Sequence, residues 1–144
     1  MPVSRRWAFG PGSRSEPNRS SPGANPITSA HVECLFCGIV AGDVPSDKVL
    51  DDDLTYAFRD INPAAPVHVL VVPKEHIEHL GTLTPDHAGV LAAMVSTVQS
   101  VVAQEGVADS GYRVVANVGR HGGMTIDHLH LHVLGGRPLR WPPE

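Results

Sequence analysis

Asp127-His128-Leu129-His130-Leu131-His132-Val133-Leu134-Gly135-Gly136 sets three histidines in strict alternation with aliphatic residues. On an extended strand, successive side chains leave opposite faces. The pattern therefore predicts a strand over 127–134, with three imidazoles on one face and Leu129, Leu131 and Val133 on the other. The aliphatic face has a core to enter. The imidazole face has no packing reason to exist, so it reads as a reactive or metal-binding surface.

The segment just upstream holds Asn117, Gly119, Gly122, Gly123 and Thr125. Glycines let backbone N–H groups come close to an anion, and Asn and Thr add donors. Next to a histidine row, this loop reads as a phosphate cradle. Further out, Tyr112 to Val118 predicts a strand, as do Val44 to Leu50, Leu54 to Arg59 and Val67 to Val72, the last buried on both faces. Cys34 to Ala41 predicts a short helix ended by Gly42. Thr84-Pro85-Asp86 opens a long one with a cap, a first-position proline and a first-turn acid. Its stripe is Leu91, Met94, Val95, Val98, Val101 and Val102, and Gly106 closes it. Strands, helix, then strands with short links suit an α+β domain: an antiparallel sheet with its helices, one long and one short, on one side.

The bulk composition narrows the function classes. The chain has 144 residues, 42% of them hydrophobic, and a formal net charge of −4. That excludes a nucleic-acid binder with one basic face. No apolar run approaches the roughly 20 residues that cross a bilayer. Residues 1–30 carry Arg5, Arg6, Arg14 and Arg19 against one acid, Glu16, among Ser, Pro and Gly. They are expected to form a disordered basic extension, with a domain over 31–144. The extension's acid-poor make-up also resembles an organelle transit segment, without an amphipathic pattern to support it. The cysteine pair, Cys34 and Cys37, suits a reducing cytoplasm rather than a secreted disulfide framework.

Two readings of the histidine row stay open on residues alone. A neutral imidazole is a good nucleophile when its second nitrogen donates to a fixed acceptor. His130 has an imidazole on each side and is the natural candidate. His-x-His on a strand also suits zinc. For Cys34-x-x-Cys37, zinc binding, redox chemistry and two buried thiols all remain open.

The run Gly122-Gly123-Met124-Thr125-Ile126-Asp127-His128-Leu129-His130-Leu131-His132-Val133-Leu134 resembles the histidine-triad (HIT) signature. The ending Arg140-Trp141-Pro142-Pro143, with 57–68 and 72–77, resembles the Hint branch, the purine nucleoside phosphoramidases. The resemblance covers about residues 33 to 143. It implies a homodimer with one sheet continued across both copies, and a purine nucleotide as ligand. It further implies attack by His130 on the α-phosphorus of an AMP phosphoramidate or aminoacyl adenylate, through a nucleotidyl-histidine. His132 and Thr125 would contact the phosphate, with His128 completing the triad. Asn117, Gly123 and Met124 would lie at the phosphate loop. Asp60 would hold the ribose hydroxyls. Phe36, Ile39, Phe58 and Ile61 would wall the base, and a partner's Trp141 would shape the leaving-group side. Some relatives with this C-x-x-C bind a structural zinc, which maps to Cys34, Cys37, His68 and His128. No cofactor is implied for the chemistry itself.

Met124 stands where the signature commonly has Gln, and Asp127 where an aromatic is frequent. Both bear on substrate preference more than on reaction type. Alternatives within the superfamily are hydrolysis of dinucleoside polyphosphates and nucleotidyl transfer. Outside enzymology, a nucleotide-binding scaffold with vestigial catalysis is the alternative. His76, His79 and His87 are expected at the surface or at helix ends.

Overall fold

The computed structural model describes residues 34–143, so the expectation for the basic extension lies outside the described residues. Elements follow in the order α1 (Leu35–Ala41), β1 (Lys48–Asp51), β2 (Thr55–Arg59), β3 (Val67–Pro73), α2 (Ala88–Gln104), β4 (Tyr112–Val115) and β5 (Leu131–Gly135). The five strands form one sheet in the order β1-β2-β3-β5-β4, and every neighbouring pair is antiparallel. This is the α+β architecture with one long and one short helix, but the helices cover opposite faces of the sheet rather than one side, because β2 and β3 carry apolar residues on both faces. Among the described residues, no helix is long and apolar enough to cross a membrane.

The alternation of each strand sorts residues onto two faces. Ala57, Val69, Val71, Leu129, Leu131 and Val133 point one way and pack with Met94, Val98, Val101 and Val102 of α2. Tyr56, Phe58, Leu70 and Val72 point the other way and pack with Phe36 and Ile39 of α1. β3 carries both sets and is buried along nearly its whole length, as its apolar run predicts. Thr97 is buried on α2 because its hydroxyl meets Thr55 Oγ1 at 2.6 Å, tying helix to sheet. Val95, assigned to the stripe by spacing, is instead 49% exposed.

Helix ends follow local chemistry. Cys34 caps α1, its Sγ accepting from the Cys37 N–H, and Gly42 ends it at φ +87°, a conformation that favours glycine. Thr84 caps a 3₁₀ turn over Pro85–His87, which leads into α2.

Three strands are shorter than their sequence runs. Before β1, Pro45 has no N–H to give a ladder, and Ser46 turns its hydroxyl to Tyr56. β4 stops at Val115, and the chain then enters the glycine turn. There a side chain at Gly122 would place its Cβ 2.3 Å from the Val118 carbonyl oxygen. β5 begins only at Leu131, because the backbone of 128–130 is bonded elsewhere. The Leu129 N–H donates to the Ile77 carbonyl at 2.7 Å, and the His128 carbonyl accepts from the His130 side chain. The alternation of faces survives without a regular ladder.

Candidate active site

A cavity of about 380 Å³ opens on the α1 face of the sheet. His130, His132 and Thr125 line it together with Asp60, Phe36, Ile39, Phe58 and Ile61. Leu35, Val44, Pro45, Ser46 and Ile126 complete much of the wall. Ile61 sits at the mouth, 87% exposed, rather than within an apolar wall.

Hydrogen bonding fixes the state of each imidazole. His130 Nδ1 lies 2.7 Å from the His128 carbonyl oxygen. A carbonyl only accepts, so Nδ1 carries the proton and Nε2 keeps its lone pair. The ring is 7% exposed and packs edge-on against Phe36, with centroids 5.0 Å apart. The ring is thus held at one orientation with Nδ1 as its donor to that carbonyl.

A second chain of bonds sets His132. The Ala64 N–H donates to His68 Nδ1 at 2.9 Å, so the His68 proton sits on Nε2. That Nε2–H donates to His132 Nδ1, also at 2.9 Å. His132 is left with its proton on Nε2, a donor on a ring that lines the cavity. Burial, reinforced by His130 and His68, lowers the His132 pKa to about 4, so it is neutral at physiological pH. Burial also lowers that of His68, against an opposing pull from Asp60. Asp60 Oδ1 accepts the Asn62 N–H and Oδ2 lies 3.4 Å from His68 Nε2. Each carboxylate oxygen has a second lone pair for a diol. Asp60, His68 and His132 are close enough to suggest a metal site. Proton placement argues otherwise: a neutral His68 already spends its lone pair on Ala64, so Nε2 has none to offer a cation.

These shifts predict an acid-labile fold. Unfolded histidine takes its proton near pH 6.5, whereas folded His132 resists protonation down to about pH 4. Between those values the unfolded state binds more protons, so stability falls as pH falls. Urea unfolding of metal-stripped protein from pH 7 to 4.5 should show that decline, with a shallower slope for His132→Gln. An equal slope in both would contradict it.

Behind the triad lies a second cluster. Cys34 Sγ, Cys37 Sγ, His76 Nδ1 and His128 Nδ1 all lie within 4.8 Å of one another. The sulfurs of Cys34 and Cys37 are 3.4 and 3.6 Å from His128 Nδ1, and Cys37 Sγ is 3.2 Å from His76 Nδ1. His128 Nε2 donates to the Pro73 carbonyl at 2.9 Å, so Nδ1 presents its lone pair to the cluster. Two sulfurs and two imidazole nitrogens at these separations match the edges of a tetrahedron around zinc. Burial, then the neighbouring Cys34, pushes the Cys37 thiol up to about 12. A redox pair needs the opposite shift, whereas a cation can displace the proton.

The cluster differs from the zinc set expected from sequence at one position: it holds His76, which is exposed as expected, and not His68. The register explains it. His68 pairs with Leu134, six residues beyond His128 and on the order of 20 Å along the strand. The turn after β3 instead carries His76 past the start of the triad, where the Ile77 carbonyl binds the Leu129 N–H. The available signal was the C-x-x-C itself, which asks for two nitrogen donors, and a histidine just past the end of β3.

Three further expectations meet the geometry differently. Asn117, Gly123 and Met124 are not among the residues lining the cavity. Asn117 Nδ2 donates to the Gly122 carbonyl at 2.6 Å and so clasps the loop. Trp141 is 80% exposed, with the Arg113 guanidinium 6.0 Å from its ring centroid, and does not line this chain's cavity.

Comparison with known proteins places these features among relatives. The HIT domain family model matches residues 41–139. The purine nucleoside phosphoramidase of Escherichia coli K12 is 43% identical over 107 residues, 74% of this chain and 90% of that protein. The HIT family hydrolase from Legionella pneumophila superposes with a TM-score of 0.76 at 42% identity, covering 78% of this chain and all of that one. A zinc-bound histidine triad protein from Mycobacterium smegmatis gives a TM-score of 0.65 at 33% identity, covering 74% and 77%.

Proposed function

The chain belongs to the HIT family, and on that premise we propose that it is a nucleotide phosphoramidase. It would cleave AMP–N bonds, or aminoacyl adenylates, through a nucleotidyl-histidine. One observation carries the reading: His130 donates from Nδ1 to a carbonyl, which leaves Nε2 as a free base on a ring that lines the cavity beside a neutral donor.

The steps balance as follows. His130 Nε2 attacks the α-phosphorus, forming an N–P bond as the bond to the leaving amine breaks. Neutral His132 donates its Nε2–H as a hydrogen bond to the phosphoryl oxygens, and the departing amine takes its proton from solvent water. Thr125 offers a second donor to the phosphoryl oxygens. Water then attacks phosphorus as the bond to His130 Nε2 breaks; its proton returns to solvent, AMP is released and His130 is restored. Asp60 takes the ribose hydroxyls, and Phe36, Ile39 and Phe58 flank the base. Zinc held by Cys34, Cys37, His76 and His128 would be structural, securing α1 to the start of the triad. The exposed edge strand β4, with Tyr112 and Val114 outward, suits pairing with a second copy into one continuous sheet. That pairing is what would bring Trp141 to a partner's cavity.

Parallel turnover of adenosine phosphoramidate and diadenosine polyphosphate tests the substrate class. The expected result is a kcat/KM at least about 100-fold higher for the P–N substrate, a gap of about 2.7 kcal/mol in transition-state binding. A preference for the polyphosphate would favour the other HIT activity. Turnover of neither would favour a binding scaffold.

A further inference from the structure

We propose that Ser46, held by Tyr56, reads the edge of the nucleobase by donating a hydrogen bond to one of its ring nitrogens. The inference rests on the nucleotide reading above. β2 acts as a ruler along the cavity. Tyr56, Phe58 and Asp60 follow at every second residue on one face, and Asp60 continues the ladder through its N–H to the His68 carbonyl. The span from Tyr56 to Asp60 is about 13 Å. With the ribose at Asp60 and the base beside Phe58, the base edge faces the segment that runs antiparallel to this part of β2: Lys48 pairs with Phe58 and the Asp47 carbonyl takes the Arg59 N–H, which sets Ser46 next to the base.

Much of the cavity lining on α1 and the segment after it is apolar. α1 contributes Leu35, Phe36 and Ile39, and the following segment contributes Val44 and Pro45. Ser46, half-buried, is the polar side chain that lines the cavity among them. Its Oγ lies 2.8 Å from the Tyr56 hydroxyl. Tyr56 is buried in the cluster with Phe36, Ile39 and Phe58, its ring 5.9 Å from that of Phe58, so the hydroxyl position is fixed. Either hydroxyl can donate within the pair; when the more acidic phenol does, Ser46 keeps its own hydrogen for the cavity. A purine offers ring nitrogens that accept such a bond. In an apolar surround, a single oriented donor of this kind discriminates where shape alone does not.

Calorimetric affinities for AMP and for its three deaza analogues, each with one ring nitrogen replaced by C–H, test the assignment. In the wild type, one analogue should bind about 3- to 10-fold more weakly than AMP, the range of a single net hydrogen bond. In Ser46→Ala that gap should close, in Ser46→Thr it should persist, and in Tyr56→Phe it should narrow. Because Ser46→Ala strips Tyr56 of a partner, the double variant Ser46→Ala/Tyr56→Phe removes both hydroxyls together and should show the same closed gap. AMP binding with identical gaps in the wild type and Ser46→Ala, or with no gap in either, would overturn this assignment and leave the nucleotide reading standing. Failure of the wild type to bind AMP would remove both.

Discussion

Replacing His130 with alanine should lower kcat for adenosine phosphoramidate by about 10⁴-fold or more, in line with losses seen when a covalent nucleophile is removed. The reason lies in what the ring does at both nitrogens. Nδ1 is occupied by the His128 carbonyl, which fixes the tautomer, and Nε2 is the atom that must become bonded to phosphorus. No neighbouring group is set up the same way. His132 presents an N–H toward the cavity, and the lone pair of His128 faces the two thiols. His132→Ala should therefore cost less, about 10²- to 10³-fold, the scale of one lost donor to a developing anion. Folding should survive His130→Ala with a loss of about 1–3 kcal/mol, from a carbonyl left without its partner beside Phe36. Steady-state kinetics with a melting curve on each variant separates the two effects. Retention of more than about 1% of wild-type kcat by His130→Ala would rule out the nucleophile assignment.

The second large effect concerns the Cys/His cluster. His76→Ala should lose the bound zinc and lower the unfolding free energy by about 4 kcal/mol when free zinc is near 1,000-fold above Kd. Zinc held by the cluster would link α1 to the first triad residue, and the same His128 accepts at its carbonyl from His130. Loss of the metal should thus also reduce turnover. His68→Ala is the discriminating companion. It should retain zinc, because His68 pairs across the sheet with Leu134 and bonds to His132, far from the thiols. Metal content by atomic absorption, with thermal melts in buffered zinc, reads both. Zinc retained in His76→Ala and lost in His68→Ala would restore the ligand set expected from sequence.

The chemistry was more legible in the sequence than its wiring. Alternation alone predicted which face each residue of the 127–134 run would take, and that holds even where the ladder does not form. The apolar run 67–72 predicted the doubly buried central strand, and Thr84-Pro85 predicted the start of the long helix. What could not be read was register. Whether His68 or His76 faces His128 depends on how far β3 slides against β5, and a period of two residues carries no information on that slide. The same limit concealed the bond from His68 to His132, between residues far apart in sequence. Asn117 is a different case. Its type suited a phosphate donor, but the tight turn leaves the Gly122 carbonyl needing a partner, and the nearby amide supplies it. Side chains that satisfy a loop's own backbone look the same in sequence as those that meet a ligand.

Mass spectrometry after millisecond mixing with adenosine phosphoramidate and a quench in alkaline denaturant, which preserves a histidine N–P bond, bears most directly on the reaction. The protein should gain one adenylyl group, and peptide mapping should place it on His130. The adduct should decay with the kinetics of product release and be absent from His130→Ala. Steady turnover with no adduct at any time, or an adduct on another residue that persists in His130→Ala, would contradict covalent catalysis by the central histidine.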